Sequence, residues 1–115
     1  MRAPVSIPIG GHRIRVQYVD ELPAEDGTQD SGESSALGKR IRVNKSQHNS
    51  DTEIMSTVLH EMTHIALGLG GHGELLGEKG EEAVVLCIES MLAPVLSLNP
   101  SAGIRWREIA MPWEE

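Results

Sequence analysis

A single cysteine, Cys87, stands in the chain. An intramolecular disulfide framework and a zinc site built from thiolate pairs are both excluded, and a reducing, cytoplasmic setting is expected. Phenylalanine is missing, and two Trp and one Tyr are all the aromatic residues present, so the stacking faces that hold single-stranded bases are lacking. Basic side chains are scarce, 10 against 17 acidic ones, for a formal charge of −7. The summed field repels phosphate backbones and anionic lipid, which argues against nucleic acid and membrane surfaces as partners. No run approaches the roughly 18 apolar residues of a membrane span, and Met1–Pro8 has no apolar core of signal-peptide length. A soluble, unexported protein is expected. No solenoid-like repeat is present, and 115 residues suit one domain, 1–115, around one small core.

What is present is periodic. His12–Val19 alternates Ile14, Val16 and Tyr18 with Arg13, Arg15 and Gln17, the period of a half-buried strand. From Asp20 to Ser35 there are six acids, no base, and only Leu22 as a large apolar residue. That composition predicts a flexible acidic loop over residues 20–36. Lys39-Arg40-Ile41-Arg42-Val43-Asn44 restores alternation, with basic residues on the outer face as on an edge strand. Ser50-Asp51-Thr52-Glu53 has capping-box spacing and predicts a helix from Asp51 to about Leu67, where Gly68-Leu69-Gly70-Gly71 stops it. A further helical period runs from about Gly80 to Leu98, with a kink or early end near Ala93 before Pro94.

Chemistry concentrates in His60-Glu61-Met62-Thr63-His64. Two imidazoles four residues apart project from one face of a helix and can chelate one ion, and imidazole nitrogens suit zinc. Glu61, beside the first histidine, is placed to act as general base toward a water that the ion activates. The plain alternative is a polar helix face that holds this string without a metal.

A catalytic zinc site ordinarily takes three protein ligands. Winding residues 80 to 96 at roughly 100° each puts Val84, Val85, Ile88, Met91, Leu92 and Val95 in one sector, with Glu81 at its centre. A carboxylate aimed into an apolar face needs a partner. Glu81 is therefore the favoured third ligand, while Glu82, on the side of Glu89, reads as solvated surface. Both sit at a helix start, where fraying blurs the phase, so Glu82 stays open. His72, eight residues after His64 in a Gly-rich stretch, is the other rival, as a ligand or as a donor to a substrate oxyanion. His12 and His48 read as surface, Cys87 as a half-buried structural thiol, and Tyr18 as a ring packed on the sheet.

These residues resemble the zincin metallopeptidases, and more closely the small gluzincin-like group that includes the ImmA/IrrE-like and phage-encoded metallopeptidases. The matching stretches are His60-Glu61-Met62-Thr63-His64 and Glu81-Glu82-Ala83-Val84-Val85, with Leu98-Asn99-Pro100 similar to the end of phage members. The resemblance covers roughly residues 37 to 100. It implies His60, His64 and Glu81 as zinc ligands and Glu61 as base. The metzincin extension is absent, since Leu67 occupies its glycine position and position 70 is not histidine. His72-Gly73 has some likeness to the His-Gly element of SprT-like proteases, which take a third histidine.

The expected fold is α+β, a small twisted antiparallel sheet packed on the His-Glu-x-x-His helix and a second, ligand-bearing helix. The expected activity is zinc-dependent hydrolysis of a peptide or protein substrate laid along the Arg40–Asn44 strand by β-augmentation. The alternatives are a non-catalytic protein that keeps the zinc site for structure or regulation, as in a phage component, and a helical interaction module without metal.

Overall fold

The computed structural model describes residues 6–49 and 51–98. Four strands form one sheet: β1 (Ser6–Ile9), β2 (His12–Val19), β3 (Gly32–Ser35) and β4 (Arg40–Asn44). A 3-10 turn, Lys45–Gln47, leads to two helices, α1 (Asp51–Leu69) and α2 (Gly73–Leu98). The architecture is α+β as expected. The sheet, however, is mixed rather than antiparallel: its order is β1-β2-β4-β3, and β2 and β4 run parallel, with Val16 opposite Ile41 and Tyr18 opposite Val43.

β1 and β2 form a hairpin through Gly10 and Gly11, whose φ values of 55° and 81° suit a two-residue turn that other residues enter with strain. The alternation of β2 and β4 puts Ile14, Val16, Ile41 and Val43 on one face, all fully buried. Ile54, Val58, Leu59 and Ile65 of α1 close over them, at the three- and four-residue steps of one helix face. Leu75, Met91 and Leu92 of α2 remain exposed.

Two expectations about the chain before α1 are corrected. β4 is an interior strand, paired with β2 on one side and β3 on the other, so its basic residues do not guard an edge; Arg42 instead pairs with Glu33 of β3. Nor is 20–36 one flexible acidic loop. It contains β3, and ahead of β3 it is tied down: Leu22 is buried, its N–H donates to Gln29 Oε1 (2.8 Å), and Asp30 N–H donates to Leu22 O (2.8 Å). The anchor is Asn44 at the end of β4, fully buried. Its Nδ2 donates to Asp30 O (3.0 Å) and Gln29 Oε1 (3.2 Å), and its Oδ1 accepts from Ser46 N–H (3.1 Å) and Oγ (2.6 Å).

α1 begins at Asp51 as predicted. Ser50, the predicted cap, lies outside the described residues; Glu53 Oε2 accepts from the N–H of Asn49 (3.0 Å), which satisfies a donor just ahead of the helix. The C-terminus closes with a Schellman pair: His72 N–H to Leu67 O (3.0 Å) and Gly71 N–H to Gly68 O (3.3 Å), with Gly71 at φ 80°. α2 is interrupted not near Ala93 but at Gly77 (φ 72°, ψ 171°), a conformation that only glycine adopts freely, and the helix continues through Pro94 to Leu98.

β3 touches α1 closely at Gly32. A methyl group there would lie 2.7 Å from Thr57 Cγ2 and 3.4 Å from Glu61 Cγ. Gly32→Ala therefore forces the strand away from the helix, and is expected to destabilise the fold by about 1–3 kcal/mol, as overpacking does. Chemical denaturation should show a lower midpoint with an unchanged slope, and an unshifted midpoint would mean that β3 is free to move outward.

Candidate metal centre

The facing surfaces of α1 and α2 carry the polar cluster. On α1, His60 and His64 stand one turn apart with ring centroids 5.0 Å from each other and planes at 60°. Across from them α2 presents Glu81, Glu82 and Glu89, on either side of Val85, which is fully buried in the helix–helix contact. Glu82 meets both imidazoles: His60 Nε2 lies 3.3 Å from one carboxylate oxygen, and His64 Nε2 lies 3.1 Å from the other. Ligand atoms of His60, His64 and Glu82 all fall within 4.8 Å of one another.

The Nδ1 atoms have different partners. His60 Nδ1 is 2.8 Å from Glu89 Oε2, and Glu89 Oε1 accepts from Ser56 Oγ (2.9 Å). His64 Nδ1 is 3.3 Å from Glu81 Oε2. The carboxylate that faces both imidazoles is thus Glu82, while Glu81, the third ligand expected from the sequence, stands on the outer nitrogen of His64. The reason is the phase of α2. The apolar sector read from the sequence is skewed by Met91 and Leu92, which are exposed. The buried face is centred on Val85 instead, so Glu81 and Glu82 straddle it and both reach α1.

Glu61 points from α1 toward β3 and is buried, at 7% exposure. Burial pushes its carboxyl above its ordinary value. The Ser34 hydroxyl, hydrogen-bonded to it, and the His60 and His64 imidazoles pull the other way, and Glu82 adds to the rise. Two clefts flank this carboxylate. One, of about 450 Å³, is lined by Ser34, Ala36, His64, Gly68 and Glu81; the other, of about 330 Å³, by Asp30, Gly32, His60, Leu86 and Glu89; Glu61 borders both. Each opens beside β3.

The remaining candidates lie elsewhere. His72 is exposed past the end of α1 and lines neither cleft. Cys87 is exposed on α2, not half-buried. His48 is not a surface residue: Nδ1 meets Asn44 O (2.7 Å) and Nε2 meets Thr57 Oγ1 (2.7 Å), so the ring fastens the end of β4 to α1. Tyr18 packs against the core, and its burial pushes the phenol well above its usual range.

The sequence reading missed Glu89, Ser56 and Ser34. Two spacings carried the signal for the first two. Glu89 follows Glu82 by seven residues, two helical turns, and Ser56 precedes His60 by four, one turn on the same face. Ser34 has no such pattern, because it reaches Glu61 through the sheet.

Compared with family models, curated proteins and solved structures, the chain gives no match. Among the described residues no helix is long and apolar enough to cross a membrane.

Proposed function

We propose that this protein is a zinc-dependent peptidase of the zincin type, with His60, His64 and Glu82 as metal ligands and Glu61 as general base. One observation carries the reading: two imidazole Nε2 atoms converge on the two oxygens of a single carboxylate, with each Nδ1 next to a second carboxylate. At His60 the nearer carboxylate is on Nδ1, 2.8 Å against 3.3 Å at Nε2, which favours the proton there and leaves Nε2 as an acceptor; at His64 the two contacts are nearly equal, 3.3 Å and 3.1 Å. A cation between the two Nε2 atoms and the Glu82 carboxylate would be met by all three as acceptors, each ring then keeping its proton on Nδ1 beside the second carboxylate. Nitrogen and carboxylate donors suit zinc, and three protein ligands leave a position for the reacting species.

A zinc ion bound there supplies Lewis acidity, polarising a peptide carbonyl and lowering the pKa of water. The chain's own residues do the rest. Glu61, adjacent to His60 and held by Ser34, takes the proton from the attacking water and delivers it to the leaving amine. Its burial beside β3 keeps it out of bulk water and raises its basicity. The substrate strand lies along β3, in place of the Arg40–Asn44 strand first expected. β4 has both edges paired, whereas β3 is bonded to β4 on one edge only, and the two clefts lie beside β3.

The test is metal analysis of the purified protein joined to a peptide-library cleavage assay with and without chelator. Stoichiometric zinc and chelator-sensitive cleavage are expected. His60→Ala should weaken zinc binding by more than the 10–100-fold typical of losing an outer-shell partner. Wild-type zinc content in that variant would remove His60 from the ligand set. Bound zinc without cleavage of any peptide would favour the structural or regulatory alternative.

A further inference from the structure

The reading of His60, His64 and Glu82 as a metal centre leaves Glu89 without a function, and the inference about it rests on that reading. Glu89 stands two turns after Glu82 on the α1-facing stripe of α2, with its side chain 25% exposed. Both of its oxygens are used on α1: Oε2 on His60 Nδ1 at 2.8 Å, and Oε1 on the Ser56 hydroxyl at 2.9 Å. Among the described residues no lysine or arginine pairs with it. A carboxylate kept for helix docking alone could take one contact and leave the other oxygen to solvent. Here Ser56 and His60, one turn apart on α1, hold the carboxylate at both oxygens, which fixes its rotation as well as its place.

We propose that Glu89 is a positioning residue for the metal centre. Of the two carboxylates that meet His60 it is the nearer, 2.8 Å from Nδ1 against 3.3 Å from Nε2 to Glu82, so it holds the proton on Nδ1 and aims the Nε2 lone pair at the position shared with His64 and Glu82 before any ion arrives. Ser56 acts one step further out, by fixing Glu89. Helix α2 thus supplies both a ligand, Glu82, and the group that orients a ligand of the other helix. The hydrogen bond also makes His60 a stronger donor to the ion, because the proton on Nδ1 is partly shared with an anion. Glu81 stands in the matching place on His64, at the longer distance of 3.3 Å, and holds that ring less firmly.

The experiment compares metal-free wild type, Glu89→Ala, Glu89→Gln and Ser56→Ala. Zinc affinity is measured by competition with a chromophoric chelator, and imidazole tautomers are read from ¹⁵N shifts of the metal-free proteins. Glu89→Ala should weaken zinc roughly 10–100-fold, as loss of an outer-shell partner does. Its His60 signals should leave the Nδ1–H pattern that wild type shows. Glu89→Gln retains an oxygen that accepts from Nδ1–H, and should fall between the two in affinity with the tautomer kept. Ser56→Ala should show the smallest loss. A role limited to docking the helices predicts lower melting temperatures with unchanged zinc affinity and tautomer in the folded variants, and that result overturns the assignment. A wild-type protein that takes up no zinc removes the metal centre and this role with it. A wild type that binds, beside a Glu89→Ala that binds equally, removes the Glu89 role alone.

Discussion

Replacing Glu61 by Gln is expected to leave zinc content at the wild-type level while lowering peptide hydrolysis by roughly 10²–10⁴-fold, the usual worth of a positioned proton-transfer group. On the proposed mechanism the two halves of this result separate, because Glu61 would serve the reaction and not the ion. Its neighbours His60 and His64 turn toward α2, whereas Glu61 turns toward β3 and meets Ser34. An amide of the same shape still accepts from the Ser34 hydroxyl but cannot take a proton from water. Stability should move in the opposite direction. A carboxylate at 7% exposure is held away from solvent, and burial is the largest cause of its raised pKa. The uncharged amide has less to lose on leaving water, so the variant should melt no lower than wild type. Inactive, zinc-loaded and at least as stable is the combination to look for. Full hydrolysis in this variant would take Glu61 out of the mechanism, and loss of zinc would mean that it serves the ion directly.

How far the sequence could lead to this site depended on whether a residue's partner is local. The bounds of β2 and the start of α1 follow from alternation and from helical spacing, patterns written into neighbouring residues, and the structure places both where they were expected. The same locality puts His60 and His64 on one face. β3 escaped because Gly32-Glu33-Ser34-Ser35 has no apolar residue to carry a period of two. It pairs through its backbone and through Glu33 with Arg42, a partner nine residues away. Strand order escaped for a related reason. The chain leaves β2, crosses at the level of residues 20–31, forms β3 and only then returns to fill the gap with β4, and no local pattern distinguishes this from a simple meander. The proposed third ligand position was half legible. Periodicity narrowed it to adjacent glutamates, but it counted Met91 and Leu92 in the inward sector, and both are exposed.

The largest effect on stability is expected at Asn44, a residue outside the candidate metal centre. Its side chain uses both donor hydrogens and its oxygen, joining the 29–31 segment to the turn after β4. Asn44→Ala takes a partner from Asp30 O and the Ser46 N–H, in part-buried hydrogen bonds, and opens a space the size of an amide under a fully buried position. Loss of such a group costs about 1–3 kcal/mol for each polar atom left unsatisfied, so a total of about 3 kcal/mol is reasonable. In a domain of this size that corresponds to a fall of roughly 10 °C or more in melting temperature. Asn44→Asp should be worse at neutral pH although it differs by one atom. The carboxylate can still accept from Ser46, but it faces Gln29 Oε1 and Asp30 O with a negative charge where donors stood. The consequence for the site follows from connectivity. Asn44 holds the segment that leads into Gly32, and its backbone oxygen holds His48, whose ring reaches Thr57 on α1. Loosening it frees β3 from the helix that carries Glu61, while His60, His64 and Glu82 keep their places on α1 and α2. In the folded fraction of Asn44→Ala, peptide turnover should therefore fall more than zinc affinity. Parallel losses would mean that the ion is held by the sheet as much as by the helices, and an unchanged melting curve would remove Asn44 as the anchor of β3.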